Sequence, residues 1–69
     1  MRPVERVGGR CWEFEHGGVS YRLVNENGSD KVELYFRDGD GWVFRFSRFT
    51  RGRGAKPVAE EIYRHVTGS

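Results

Sequence analysis

Sixty-nine residues make one domain and leave no room for a second, and so short a chain holds its fold only if its core is rich in large side chains. Two Trp, three Tyr and five Phe can supply that core, while the single cysteine, Cys11, excludes an internal disulfide and no apolar run reaches the length of a membrane span. The net charge of +2 is unevenly spread: residues 1–41 carry six basic and eight acidic side chains, residues 42–56 carry Arg45, Arg48, Arg51, Arg53 and Lys56 with no acid, and residues 57–69 carry Glu60, Glu61 and Arg64.

Residues 1–9 read as a tail or a short edge strand, because Pro3 and Gly8-Gly9 allow either. Four alternating segments follow, at 10–16, 19–24, 31–37 and 42–47. Gly17-Gly18 is a two-residue hairpin signal between the first two. Asn25 to Asp30 is a polar loop, and Asp38-Gly39-Asp40-Gly41 turns the chain again. Alternation gives each segment an apolar and a polar face. Trp12, Phe14, Tyr21, Leu23, Val32, Leu34, Phe36, Trp42, Phe44 and Phe46 form the expected core face. Glu13, Glu15, Ser20, Arg22, Val24, Glu33, Tyr35, Arg37, Val43 and Arg45 form the outer face.

Turn geometry then sets the expected registers. The Gly17-Gly18 turn pairs Phe14 with Tyr21 and Glu13 with Arg22. Closing the next loop from Glu26 to Ser29 pairs Leu23 with Val32 and Arg22 with Glu33. A three-residue loop Asp38–Asp40, with Gly41 as a bulge, pairs Phe36 with Trp42 and Glu33 with Arg45. The outcome is an outer row Glu13–Arg22–Glu33–Arg45 of alternating sign, each pair contributing roughly 0.2–1 kcal/mol. Past Phe46 the alternation would bury Arg48 and expose Phe49, so the strand is expected to bulge near Ser47-Arg48 or to end there.

Thr50 to Lys56 reads as an irregular basic loop, and Pro57 suits the first position of a helix over about 57–67. Val58, Ala59, Ile62, Val66 and His65 share one stripe, Glu60 and Glu61 favour the dipole from the first turn, and Gly68 is the stop. The expected fold is α+β: a four-stranded antiparallel β-meander with the C-terminal helix packed on its apolar face. In that arrangement the first and fourth strands are sheet edges.

The residue inventory points away from catalysis. Two histidines and one cysteine have no zinc spacing, and Ser20, Ser29 and Ser47 lie in no nucleophile motif. Adjacent Glu60 and Glu61 point apart on a helix. Asp38-Gly39-Asp40-Gly41 lacks the downstream Glu of a calcium loop. His16 is expected to pack at the core side of a strand end, and Cys11 to be a small packing residue. No cofactor, metal or membrane is expected, and the absence of an apolar leader core makes the cytoplasm the expected compartment.

The segment that departs from background is 45–56. The candidate binding residues are Arg37, Arg45, Arg48, Phe49, Arg51, Arg53 and Lys56. Arginines on a Gly-containing loop can follow a phosphate backbone, and an exposed Phe49 can stack on a base. The leading expectation is a small non-catalytic module contacting nucleic-acid phosphates. A small sheet backed by one helix is similar in arrangement to the DNA-binding modules of phage-type integrases, a likeness that no motif here carries. The alternative is a protein-binding regulator or inhibitor of mobile-element type, docking an edge strand, aromatic patch or Arg cluster on an acidic protein surface. Either way the chain is expected as a monomer or an edge-paired homodimer.

Overall fold

The computed structural model describes residues 1–68. Five strands and one helix follow in chain order: β1 Arg2–Val4, β2 Gly9–His16, β3 Val19–Glu26, β4 Lys31–Asp38, β5 Gly41–Phe49 and α1 Ala55–Thr67. The sheet is antiparallel throughout, in the order β1-β2-β3-β4-β5. The class is the expected α+β with a C-terminal helix, but the sheet has five strands rather than four. The extra one is β1, whose Pro3 lies opposite Trp12. Proline has no N–H for a ladder, so an edge is where it fits. The edges are therefore β1 and β5, and β2 is an inner strand.

The β2–β3 hairpin has the expected register, with Phe14 opposite Tyr21 and Glu13 opposite Arg22. Gly17 and Gly18 take φ of 59° and 78°, the pair of positive values that a tight type I′ turn needs. At the other end of this hairpin, Gly9 is held by space as well as by φ. A Cβ there would stand 2.4 Å from the Asn25 carbonyl oxygen.

The β3–β4 register differs from expectation by two residues: Leu23 lies opposite Leu34, Val24 opposite Glu33 and Arg22 opposite Tyr35. The longer loop is held internally. The Asn25 side-chain amide donates to the Ser29 and Lys31 carbonyls at 3.2 and 2.8 Å, and the Ser29 N–H donates to the Glu26 carbonyl at 2.9 Å. A slip of two keeps every side chain on its face, so Leu23, Val32 and Leu34 are buried in the core and Tyr21 packs against it, whereas Phe36, expected there too, is only partly buried and outside the core cluster.

The β4–β5 hairpin departs further. Asp38 pairs with Gly41, leaving a two-residue turn of Gly39 and Asp40 rather than a three-residue loop. Gly39 has φ 62° and Asp40 has no positive φ, the pattern of a type II′ turn. Trp42 then lies opposite Arg37 and Val43 opposite Phe36, so the first half of β5 has the opposite parity to the one expected. The extra residue is absorbed further on. Phe44 pairs with Tyr35 and Phe46 with Leu34, leaving Arg45 as a bulge. Beyond the bulge β5 neither breaks nor ends: Arg48 faces the helix side opposite Val32, and Phe49 faces outward opposite Lys31.

Trp12, Phe14, Leu23, Val32, Leu34, Val58, Ala59 and Ile62 form the buried core, with Tyr21, Phe46, Tyr63 and Val66 packed around it. Phe14 stacks on Tyr21 at 5.0 Å and meets Tyr63 edge-on at 4.8 Å. The helix begins at Ala55, two residues before Pro57, with Gly54 at its N-cap, so Glu60 and Glu61 lie beyond its first turn. It ends as expected on Gly68, in the left-handed conformation, whose N–H donates to the Arg64 carbonyl at 2.8 Å. His65 edges the Phe46 ring at 6.2 Å, whereas His16 is exposed rather than packed against the core.

Candidate functional site

The parity of β5 decides which aromatics reach the surface. Trp42 and Phe44 do not join the core. They stand on the outer face of the sheet, where Phe44 is 51% exposed and meets the Tyr35 ring edge-on at 5.7 Å. Trp42 lies under two guanidinium groups, that of Arg22 at 4.2 Å from the ring centroid and that of Arg37 at 5.8 Å. Both distances are within cation–π range. Arg37 is oriented in turn by its Nε, which donates to the Gly39 carbonyl at 3.0 Å.

The outer row therefore runs Arg2–Glu13–Arg22–Tyr35–Phe44 and not Glu13–Arg22–Glu33–Arg45. Only the Glu13–Arg22 pair of the expected row forms. Arg22 donates to the Glu13 carboxylate through Nε at 2.9 Å and through Nη2, and Arg2 adds a third contact at 3.2 Å. Those hydrogen bonds hold the Glu13 carboxyl below its ordinary value, chiefly through Arg22. Glu33, opposite Ser47, accepts instead from the Tyr35 hydroxyl at 3.3 Å. Burial and the Glu33 carboxylate beside it raise the Tyr35 phenol. Cys11 and Val24 lie buried beneath this face, and burial pushes the Cys11 thiol up. One half of the outer face is thus an internally neutralised charge network. The other half, on β4 and β5, is an aromatic–arginine patch of Tyr35, Arg37, Trp42 and Phe44.

The residues singled out in the sequence do not converge. Arg37 lies at the turn end of the β4–β5 hairpin, and Phe49 lies at the far end of β5, seven residues past Trp42. That is about 23 Å of extended chain. Arg45 turns from the outer face to set its guanidinium 5.6 Å from the Phe36 ring. Arg48 and Arg53 both donate to the Glu61 carboxylate, Arg48 through Nη1 at 3.3 Å. Arg53 is further held by Thr50, whose carbonyl accepts from its N–H at 3.0 Å and its Nε at 3.4 Å. Thr50 is itself buried, and its N–H and hydroxyl donate to the Asp30 carbonyl at 2.7 and 3.1 Å.

The basic segment is therefore a pinned turn rather than a free loop. Two of its arginines spend their charge on one helix carboxylate. Arg51, at φ 51°, and Lys56 are exposed and have no carboxylate partner among the described residues. Phe49 is 54% exposed beside Lys31.

The Trp42–Phe44 patch escaped the sequence because its exposure depends on one turn residue and one bulge. The legible signal was the Arg37–Trp42 proximity across the turn, which a Gly39-Asp40 reading of the hairpin produces directly. Among the described residues no group of three or more His, Cys, Asp or Glu side chains is placed to hold a metal ion, and no helix is long and apolar enough to cross a membrane. Compared with protein-family models, curated proteins and solved structures, the chain matches none.

Proposed function

We propose that this chain is a small non-catalytic binding module that docks on a protein through the outer-face patch of Tyr35, Arg37, Trp42 and Phe44. The observation that carries the reading is the outward placement of Trp42 and Phe44 in a chain too short to leave large aromatics out of its core without cost. Trp, Tyr and Arg are the side chains that dominate protein interfaces, Trp and Tyr because each buries a large area at little conformational cost and Arg because its planar fork pairs with carboxylates. Trp42 and Tyr35 are already braced by neighbouring side chains, so less entropy is lost on docking. The matching surface on the partner is an apolar pocket rimmed by carboxylates that receive Arg37.

The test is capture of a partner from an extract of the native host with tagged wild-type chain and two variants. Phe44→Ala together with Arg37→Ala abolishes capture, whereas Arg51→Ala together with Arg53→Ala leaves it intact and nuclease treatment does not release the partner. Capture indifferent to Phe44 and Arg37 would refute the reading.

A second reading rests on the opposite end of β5, where Lys31 and Arg51 supply exposed cations near the exposed Phe49. There a single-stranded nucleic acid would stack a base on Phe49 and rest phosphates on the cations. Of the cations at 50–56 only Arg51 and Lys56 have no carboxylate partner among the described residues, and Lys56 lies on the helix side of the sheet from Phe49, so affinity would be low and steeply salt-dependent. Binding to single-stranded oligonucleotides at low salt, lost in Arg51→Ala, supports this reading, and no binding at low salt removes it.

A further inference from the structure

A groove on the opposite side of the sheet from that patch runs between the N-terminal segment with the start of β2 and one flank of α1. Its volume is about 930 Å³, within the range of small-molecule sites. Met1, Pro3, Tyr63 and the largely buried Trp12 line its apolar side. Four basic and two acidic side chains also line it, a surplus of two positive charges. Two of the four cations are already matched: Arg6 pairs with Glu26 at 2.8 Å, and Arg64 lies 3.8 Å from Glu60. Arg10 and Lys56 are exposed and have no carboxylate partner among the described residues. They come from different elements, the start of β2 and the first turn of α1, and the fold brings them to one groove. Glu5, the groove's other carboxylate, is likewise exposed and without an ion pair among the described residues, so the unmatched charges sum to +1, and an aromatic wall beside Arg10 and Lys56 complements a ligand with an apolar body and a single anionic end.

We propose that this groove binds a small amphipathic organic anion, an aliphatic or aromatic body bearing one carboxylate or sulfonate. The body lies against Trp12 and Tyr63, and the anionic group rests on Arg10 and Lys56. Pro3 and Met1 close the groove from the β1 side, so the short edge strand serves as a wall. The site is separate from the protein-docking patch and does not depend on it.

The test uses the full chain, labelled with nitrogen-15 and titrated below the micellar range with decanoate and, separately, with decanol. Decanoate gives saturable shifts at the Arg10 and Lys56 amides and at the Trp12 indole. Decanol binds at least about tenfold more weakly, a difference of about 1.4 kcal/mol. The double variant Arg10→Gln and Lys56→Gln, at two exposed positions, brings decanoate down to the decanol affinity while leaving signal dispersion unchanged. Absence of saturable shifts, equal binding of the two probes, or shifts centred on Trp42 and Phe44 would overturn the proposal. If the double variant unfolds, the decanoate–decanol comparison on the wild-type chain decides alone.

Discussion

Phe44 and Phe46 are two residues apart in one strand, and simple alternation places them on the same face. The bulge at Arg45 separates them. Phe46 lies opposite Leu34 and packs on the core, whereas Phe44 is half exposed beside Tyr35. A fully buried Phe truncated to Ala costs about 3–5 kcal/mol. Phe46 is partly exposed, so the expectation for Phe46→Ala is about 2–3 kcal/mol. Phe44→Ala gives up about half of a burial term, about 1 kcal/mol, and one half-exposed edge contact, about 0.5 kcal/mol, about 1.5 kcal/mol in all. Leu34→Ala, at a position 2% exposed, sets the ceiling at about 2–5 kcal/mol. Domains of this length have about 3–10 kcal/mol in total, and each kcal/mol shifts Tm by roughly 4–8 °C. Thermal unfolding followed by circular dichroism should therefore show Phe44→Ala roughly 6–12 °C below wild type, the shift that about 1.5 kcal/mol produces. Phe46→Ala should fall further, and Leu34→Ala at least as far as Phe46→Ala. A Phe44→Ala loss equal to or larger than that of Phe46→Ala would refute the assigned parity of β5 and with it the exposed patch.

The Glu13 carboxyl is held below its ordinary value by Arg22, with Arg2 adding to the effect. The folded state therefore binds that proton less readily than the unfolded chain, and the stabilisation is present above the ordinary carboxylate range and fades as pH falls through the lowered value; Glu13→Gln should flatten this part of the acid limb in urea titrations run at successive pH. At Gly9 an added methyl meets the Asn25 carbonyl at 2.4 Å, while at Gly17 it meets open space. Gly17→Ala should cost only the left-handed strain, roughly 1–2 kcal/mol, and Gly9→Ala more than that, as measured by chemical denaturation. Glu61→Gln removes the carboxylate shared by Arg48 and Arg53. It should cost under about 1 kcal/mol per pair, because both pairs are partly solvated, and should raise any affinity for single-stranded oligonucleotide measured by anisotropy at low salt. Sedimentation should show a monomer at tens of micromolar: β1 has three residues and carries Pro3, and β5 is broken by the Arg45 bulge, so neither edge offers a long regular ladder. Concentration-dependent sedimentation would contradict this.

The parts of the fold that were legible are those where one local rule leaves one solution. Gly17-Gly18 permits one tight turn, and the β2–β3 register follows from it. Pro57 with the Val58, Ala59, Ile62 stripe and Gly68 outlines the helix, although its start lies two residues earlier because proline is tolerated throughout a first turn. The β3–β4 slip is invisible because alternation has a period of two, and the longer loop is held by the Asn25 side-chain bonds and by the Ser29 N–H donating to the Glu26 carbonyl. Residues 38–41 admit two turns, Gly39 as the first residue of a two-residue turn or Gly41 as a bulge. Keeping Trp42, Phe44 and Phe46 together on the core face favours the wrong one.

That choice carries the functional consequence. With the two-residue turn, β5 starts out of phase with the core, and it regains phase only because Arg45 is spent as an extra residue. Before the bulge the strand places Phe44, half exposed, and Trp42, partly covered by Arg22 and Arg37, on the outer face. After it, the strand delivers Phe46 to the core and Arg48 to Glu61. Removing the bulge cannot satisfy both halves at once, since a regular ladder would expose Phe46 or bury Phe44 and Trp42. The same residue that looked like one more cation in a basic run is the one that lets a single edge strand build the core with one half and a docking surface with the other.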